Sequence, residues 1–232
     1  MLRLDKFLCD AGIGSRSQVK VFLKQGLIKV NGEIIKRPEF KVEEEQDSVT
    51  FQGKEIKYRK YVYYMLNKPK GVVSATRDNL DRTVTDLIKD SGHQNLFPVG
   101  RLDKDTEGLL IMTNDGDLAH RLLSPKKHVD KVYYVELDKM LTEEGLRMLE
   151  TGIDIGEEKP TLPANAQRIT DTSLYLTIRE GKYHQVKRML KAVGCEVTYL
   201  KRIAMGAISL DKNLPCGCYR ELTEEERKKI LL

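Results

Sequence analysis

Gly100-Arg101-Leu102-Asp103-Lys104-Asp105-Thr106-Glu107-Gly108-Leu109-Leu110 is the densest polar cluster in the chain, and what surrounds it depends on how it is read. The plainest reading is a charged, glycine-bounded loop between strands. A second is a metal site through Asp103 and Asp105. A phosphatase working through D-x-D-x-T fits poorly, because the threonine arrives one residue early, at Thr106. No glycine-rich phosphate cradle of the P-loop kind is present. A third reading pairs an acid with a basic neighbour, as a carboxylate nucleophile requires. Arg101 and Asp103 are two residues apart, so on an extended segment both side chains point to one side.

On either side of this segment the sequence alternates between strand and helix signals. Downstream, the patterning predicts strands at Leu109–Met112, Val132–Leu137 and Leu174–Ile178, and two more around Val197–Ile203 and Ala207–Leu210. Helices are expected at Asp117–Leu123, at Thr142–Leu149 with Thr142 as cap, at His184–Val193 ended by Gly194, and from Thr223 onward. Upstream, Tyr61–Leu66 reads as a strand closed by Asn67-Lys68-Pro69-Lys70-Gly71. Val72–Ala75 reads as another strand, and Thr83–Asp90 as a short helix. Hairpin-like adjacency dominates without regular βαβ alternation. The expected fold class is therefore α+β, with a mixed, largely antiparallel sheet flanked by helices.

The first sixty residues read differently. Leu4, Phe7, Leu8 and Ala11 follow helical spacing, and Gly12 and Gly14 end that helix. Ser15 or Ser17 caps a second helix running to about Gln25, with Val19, Phe22 and Leu23 as its buried stripe. Arg16, Lys20 and Lys24 recur every four residues and line another face of it. Leu27–Val30 is a short strand, followed by an Asn31-Gly32 hairpin turn. Val42–Asp47 is an acidic loop, Val49–Phe51 a further strand, and the charged stretch 54–60 a linker. The expected division is a small domain at 1–58 and a larger one at 59–232.

Composition sets the outer limits. The chain has 232 residues, with 40% hydrophobic and 32% charged residues, a globular profile too apolar for wholesale disorder. No run approaches the roughly 18 apolar residues of a membrane helix, and the N-terminus, with its early acid, does not read as a signal peptide. Four scattered cysteines form no C-x-x-C pair, and Cys216-x-Cys218 reads as a bland loop. Reduced thiols in a cytoplasmic protein are expected, with no metal. The net charge is +5, and residues 1–37 alone hold eight Lys+Arg against three Asp+Glu. Such a local excess suits a polyanion, and in the cytoplasm the candidate is nucleic acid.

The small domain resembles the S4 RNA-binding domain. Arg3-Leu4-Asp5, Leu8, Ser15-Arg16 and Gly26-Leu27-Ile28-Lys29-Val30-Asn31-Gly32 carry the likeness over about the first fifty residues. It implies RNA contact through Arg3, Arg16, Lys20, Lys24, Lys29 and Asn31, with the cations positioning RNA at its phosphates rather than reading sequence. The acids of Val42–Asp47 depart from a purely basic surface.

The larger domain resembles the pseudouridine synthases. The stretch 100–110, followed by Thr113-Asn114-Asp115-Gly116, looks like that family's catalytic motif. Lys131-Val132-Tyr133 resembles its second motif, K-x-Y. Glu180-Gly181-Lys182-Tyr183-His184-Gln185-Val186-Lys187-Arg188-Met189 resembles its third. The three stand in the family's order, and the spelling of the third and of Met65-Leu66-Asn67-Lys68-Pro69 points to the branch acting on 16S rRNA of the small subunit.

The resemblance implies an isomerase. It cleaves the N-glycosidic bond of a uridine, rotates the uracil and rejoins C5 to C1′, with no cofactor, metal or ATP. It further implies Asp103 as nucleophile, a Lys187 cation beside it, Tyr133 stacking on the uracil or assisting proton transfer, and Arg101 helping to extrude the base. His184 is expected to be structural or RNA-facing, and Asp105 and Thr106 to shape the loop. His93, His120 and His128 lack metal-ligand spacing. The implied partner is 16S rRNA, within an assembling subunit or free, acted on by a monomer. The alternatives are a 23S rRNA synthase, an RNA-binding assembly factor without catalysis, and a metal-dependent phosphatase.

Overall fold

The computed structural model describes residues 1–44, 46–56, 58–88, 91, 95–124 and 127–231. Two compact units form, Met1–Val62 with Ile88–Leu96, and Tyr63–Leu87 with Phe97–Leu232.

The N-terminal unit is built on two short helices, α1 (Leu4–Asp10) and α2 (Arg16–Lys24). A capping box starts α2: Ser15 Oγ accepts from the Gln18 amide while the Gln18 side chain accepts from the Ser15 amide, satisfying two otherwise orphaned groups. Leu4, Phe7, Leu8, Val19 and Leu23 bury one face of the pair. A sheet ordered β3-β2-β5-β6 covers them, from β2 (Ile28–Val30), β3 (Glu33–Ile34), β5 (Val49–Phe51) and β6 (Lys54–Glu55). The Asn31-Gly32 turn has positive φ at both residues, the backbone that such a two-residue hairpin requires. A small ladder joins β1 (Leu2–Arg3) to β4 (Lys41–Val42).

The second unit is organised around a nine-stranded sheet. Its path runs β11 (Asn165–Thr170), β12 (Ser173–Ile178), β10 (Lys131–Leu137), β13 (Val197–Met205), β9 (Glu107–Thr113), β7 (Tyr63–Lys68) and β15 (Tyr219–Glu221). β8 (Phe97–Pro98) pairs with β9, and β14 (Ile208–Ser209) with β13. All neighbours are antiparallel except β9 and β13, so the sheet is mixed and largely antiparallel. The helices are α3 (Gly116–Leu123), α4 (Glu143–Thr151), α5 (Gln185–Ala192) and α6 (Glu224–Leu231). β7 is buried at every residue, as expected for a strand covered on both faces. The expected class, α+β with this sheet, is the fold observed.

Two expected elements are absent. Val72–Ala75 makes an isolated bridge, Val73 to Thr83, instead of a strand. Its backbone groups go elsewhere: the Val73 amide donates to Arg82 O, and the Ala75 amide turns back to Val73 O. Thr83–Asp90 is a turn as far as it is described, with positions 89 and 90 outside the described residues. Asp86 accepts from both the amide and the hydroxyl of Thr83, a short-range closure that competes with helix propagation. The stretch 54–60 also contains β6 where a linker was expected.

Candidate active site

The polar segment 100–106 leads from β8 into β9, and its backbone is fixed from beneath. The Ser74 hydroxyl donates to Leu102 O at 2.8 Å and accepts from the Leu102 amide at 3.0 Å. The Gly71 amide donates to Lys104 O at 2.7 Å. The ammonium of Lys68, at the end of β7, is fully buried. It donates to the carbonyls of Thr106 (2.8 Å), Asp103 (3.0 Å), Pro69 (3.1 Å) and Lys104 (3.3 Å). Burial pushes this lysine down to about 8, against the pull of the Asp105, Asp103 and Glu107 carboxylates. The loop then enters β9 at Gly108, where φ is +101° and an added Cβ would meet Arg202 O at 2.2 Å. Only glycine fits there.

This scaffold aims the Asp103 carboxylate at the start of α5. Lys187 Nζ lies 3.4 Å from Asp103 Oδ2 and 2.5 Å from Asp105 Oδ1. His184 Nε2 lies 3.6 Å from Asp103 Oδ1. Val186, Met189 and Leu190 bury one face of α5, which turns Lys187 toward the loop. Burial raises the Asp105 carboxyl, but the Lys187 hydrogen bond and charge outweigh it, leaving Asp105 below the ordinary carboxylate range. One ammonium is thus shared by two carboxylates.

Around Asp103 opens a cleft of about 740 Å³. Tyr133, 7% exposed, forms part of its wall from β10, where it sits opposite Arg202 of β13. Arg101 lines the same cleft and is exposed. Lys131 and Arg202 line it too, both buried. Lys131 Nζ donates to Val129 O and Arg202 Nε to Leu109 O, and neither makes an ion pair with a described residue. Burial, and then the neighbouring Arg202 charge, lower the affinity of Lys131 for its proton. The four sequence candidates Arg101, Asp103, Tyr133 and Lys187 therefore lie around one cleft.

Other sequence features have different destinations. Asp115 caps α3, accepting from the Leu118 amide at 3.0 Å and from Tyr63 Oη at 2.7 Å. Tyr134, the neighbour of Tyr133, donates its hydroxyl to Glu136. Among the described residues no cluster of histidine, cysteine and carboxylate side chains could hold a metal; His93 lies outside them. No described helix is long and apolar enough to cross a membrane.

In the N-terminal unit, Arg16, Lys20, Lys24 and Lys29 are exposed. Arg3 is engaged by Asp5, which accepts from Nε at 3.0 Å and Nη2 at 2.8 Å. Asn31 uses its amide internally, donating to Asp47 Oδ1 and accepting from the Ser48 amide, so it serves the turn.

The family profile for RNA pseudouridylate synthase matches residues 62–192, and the S4 domain profile matches residues 2–48. The chain belongs to the RNA pseudouridylate synthase family. It is an RNA-modifying isomerase with an N-terminal S4 domain. It is 51% identical to the uncharacterized RNA pseudouridine synthase YtzG of Bacillus subtilis, over 97% of this chain and 96% of that one. It is 43% identical to ribosomal small subunit pseudouridine synthase A of Vibrio cholerae, covering 99% of both chains. It is 40% identical to ribosomal large subunit pseudouridine synthase B of Bacillus subtilis, over 99% of this chain and 96% of that one. A crystal structure of a pseudouridylate synthase superposes with a TM-score of 0.71 at 38% identity, over 99% of this chain and all of that one.

Sequence reasoning on this synthase passed over Lys68, Ser74 and the Asp105–Lys187 bond. Lys68 carried a readable signal, a lysine closing the strand Tyr63-Tyr64-Met65-Leu66-Asn67. Ser74 carried none, because its partner is 28 residues away.

Proposed function

We propose that the protein converts a uridine of 16S rRNA to pseudouridine, with Asp103 as nucleophile. The observation carrying the catalytic reading is the Asp103 carboxylate, held in the cleft beside the Lys187 ammonium. The ammonium is an opposite charge beside the carboxylate, and a carboxylate can form and break a covalent bond. In this reading an Asp103 oxygen bonds to the uridine as the N1–C1′ bond breaks, uracil turns, and the carboxylate is released as C5 bonds to C1′; the C5 proton is lost to water and N1 takes one up. Tyr133 forms the wall against which the uracil rotates. Arg101, exposed and lining the cleft, assists extrusion of the base, since C1′ and C5 are inaccessible inside a stacked helix.

Residues 1–58 are proposed to anchor the RNA through Arg16, Lys20, Lys24 and Lys29, with 59–232 carrying the chemistry. The enzyme is proposed to work as a monomer in the cytoplasm, where rRNA is made. The small-subunit target is favoured by the third motif, Tyr183-His184-Gln185-Val186-Lys187-Arg188-Met189, and by the full-length likeness to the Vibrio cholerae small-subunit enzyme. The slightly lower identity to a large-subunit enzyme makes 23S rRNA the competing target. Incubation with 16S and 23S transcripts tritiated at uridine C5 tests this. Tritium release from 16S RNA, naked or loaded with ribosomal proteins, is expected. Release from 23S alone would overturn the target.

A further inference from the structure

We propose that Tyr183, stacked on His184, is a preformed platform for a nucleobase adjoining the target uridine. The inference rests on the Asp103-centred reading of the cleft. The Tyr183 and His184 rings are 3.9 Å apart between centroids and 17° from parallel. His184 in turn places Nε2 beside Asp103 Oδ1. The Tyr183 ring therefore sits one stacking layer beyond the group that would meet the target uridine. It lines the same cleft, yet is 74% exposed. His184 adopts left-handed backbone geometry (φ 48°, ψ 35°) immediately before α5, a strained conformation for a non-glycine residue.

The turn bearing these rings is extensively hydrogen-bonded. Glu180 Oε1 accepts from the Leu162 amide and from Gln185 Nε2, and Gln185 Oε1 accepts from the Lys182 amide. Lys182 Nζ donates to Lys159 O at 2.7 Å. Arg188 Nη1 bonds both Glu157 and the Tyr183 carbonyl. So many bonds hold a turn whose most prominent side chain is an uncovered aromatic ring. Packing does not account for that ring, whereas stacking a base does: every base offers a π-face, and a fixed ring loses little entropy on use.

The chain contains no tryptophan, so Y183W installs a single fluorescent reporter at the platform. Wild type, Y183A, Y183F and Y183W are compared on whichever of 16S transcript, 23S transcript or protein-loaded 16S particle releases tritium. Y183A is expected to raise KM about ten-fold with kcat nearly unchanged and thermal stability unaltered. Y183F and Y183W retain the wild-type KM. Y183W fluorescence is quenched on RNA titration, also when combined with D103N. A KM in Y183A indistinguishable from wild type, or Y183W fluorescence unmoved by saturating RNA, overturns the platform. Turnover retained in D103N instead overturns the Asp103 reading, and quenching by 23S rather than 16S RNA supports the platform while moving the target.

Discussion

The cations of the two units are handled in opposite ways. On α2, Arg16, Lys20 and Lys24 are exposed, and none makes an ion pair with a described residue. In the catalytic unit, Lys68 is buried among four carbonyls and Lys187 is clamped between two carboxylates. Exposed cations suit phosphate neutralisation, which is long-ranged and salt-sensitive. Fixed cations suit chemistry, where a charge must already be in place when a bond forms. Binding and catalysis should therefore fail separately.

The sharpest separation is expected from D103N. It preserves shape and removes the carboxylate charge, so turnover falls by about a thousand-fold or more. RNA affinity in a filter-binding assay stays near wild type. Equal loss of both would show that the two units do not divide the work.

The next largest effect is on folding. K68M removes the ammonium and leaves its carbonyl partners buried without a donor, at a cost of about 3 kcal/mol. In a chain of this length that lowers Tm by about 6–12 °C. The pH dependence follows from the depressed affinity of Lys68 for its proton, about 8 when folded against 10.5 when exposed. Between those values the unfolded chain holds more protons, so wild-type stability gains as pH rises. The gap between wild type and K68M in chemical denaturation therefore widens from pH 8 to 10.5. A constant gap would mean the folded state holds that proton as strongly as the unfolded chain.

The N-terminal counterpart is R16A/K20A/K24A. Three lost phosphate contacts should weaken RNA binding about 30-fold at low salt and flatten the log–log salt dependence by about 2. The kcat at saturating RNA is unchanged. An unaltered salt slope would move the binding surface away from α2.

What could be read from sequence follows the same division. Local signals carry much of the N-terminal unit: Asn31-Gly32 forms the hairpin, Val19 and Leu23 face inward, and of the two cap candidates Ser15 caps α2, whereas β6 lies where a linker is expected. The candidates Arg101, Asp103, Tyr133 and Lys187 are legible in the sequence as motif positions, and the structure brings them around one cleft. The bonds that hold them are not legible there. Ser74 and Leu102, Lys68 and Thr106, and Asp105 and Lys187 are joined across 28, 38 and 82 residues. Val72–Ala75 was misread for the same reason. Its composition suits a strand, but the Val73 and Ala75 amides bond Arg82 O and Val73 O, and only the Ser74 hydroxyl reaches the 100–106 segment, at Leu102.

The smallest effect expected, about five-fold, tests whether sharing an ammonium matters. Lys187 sits closer to Asp105 than to Asp103, and Asp105 is the more exposed of the two carboxylates, at 55% against 26%. In D105N the side chain keeps its size and loses its charge, so Lys187 swings toward Asp103. If Asp103 is the nucleophile, as proposed, that closer contact lowers the reactivity of its carboxylate, so kcat falls modestly while KM holds. Because Asp105 is ionised well below neutral pH when Lys187 is near, the ratio of wild-type to D105N rates should stay flat from pH 6 to 8. It should collapse toward one only in acid, where Asp105 protonates in the wild type as well. A D105N enzyme faster than wild type would instead mean that Asp105 holds Lys187 back, and that the ammonium works best when committed wholly to Asp103.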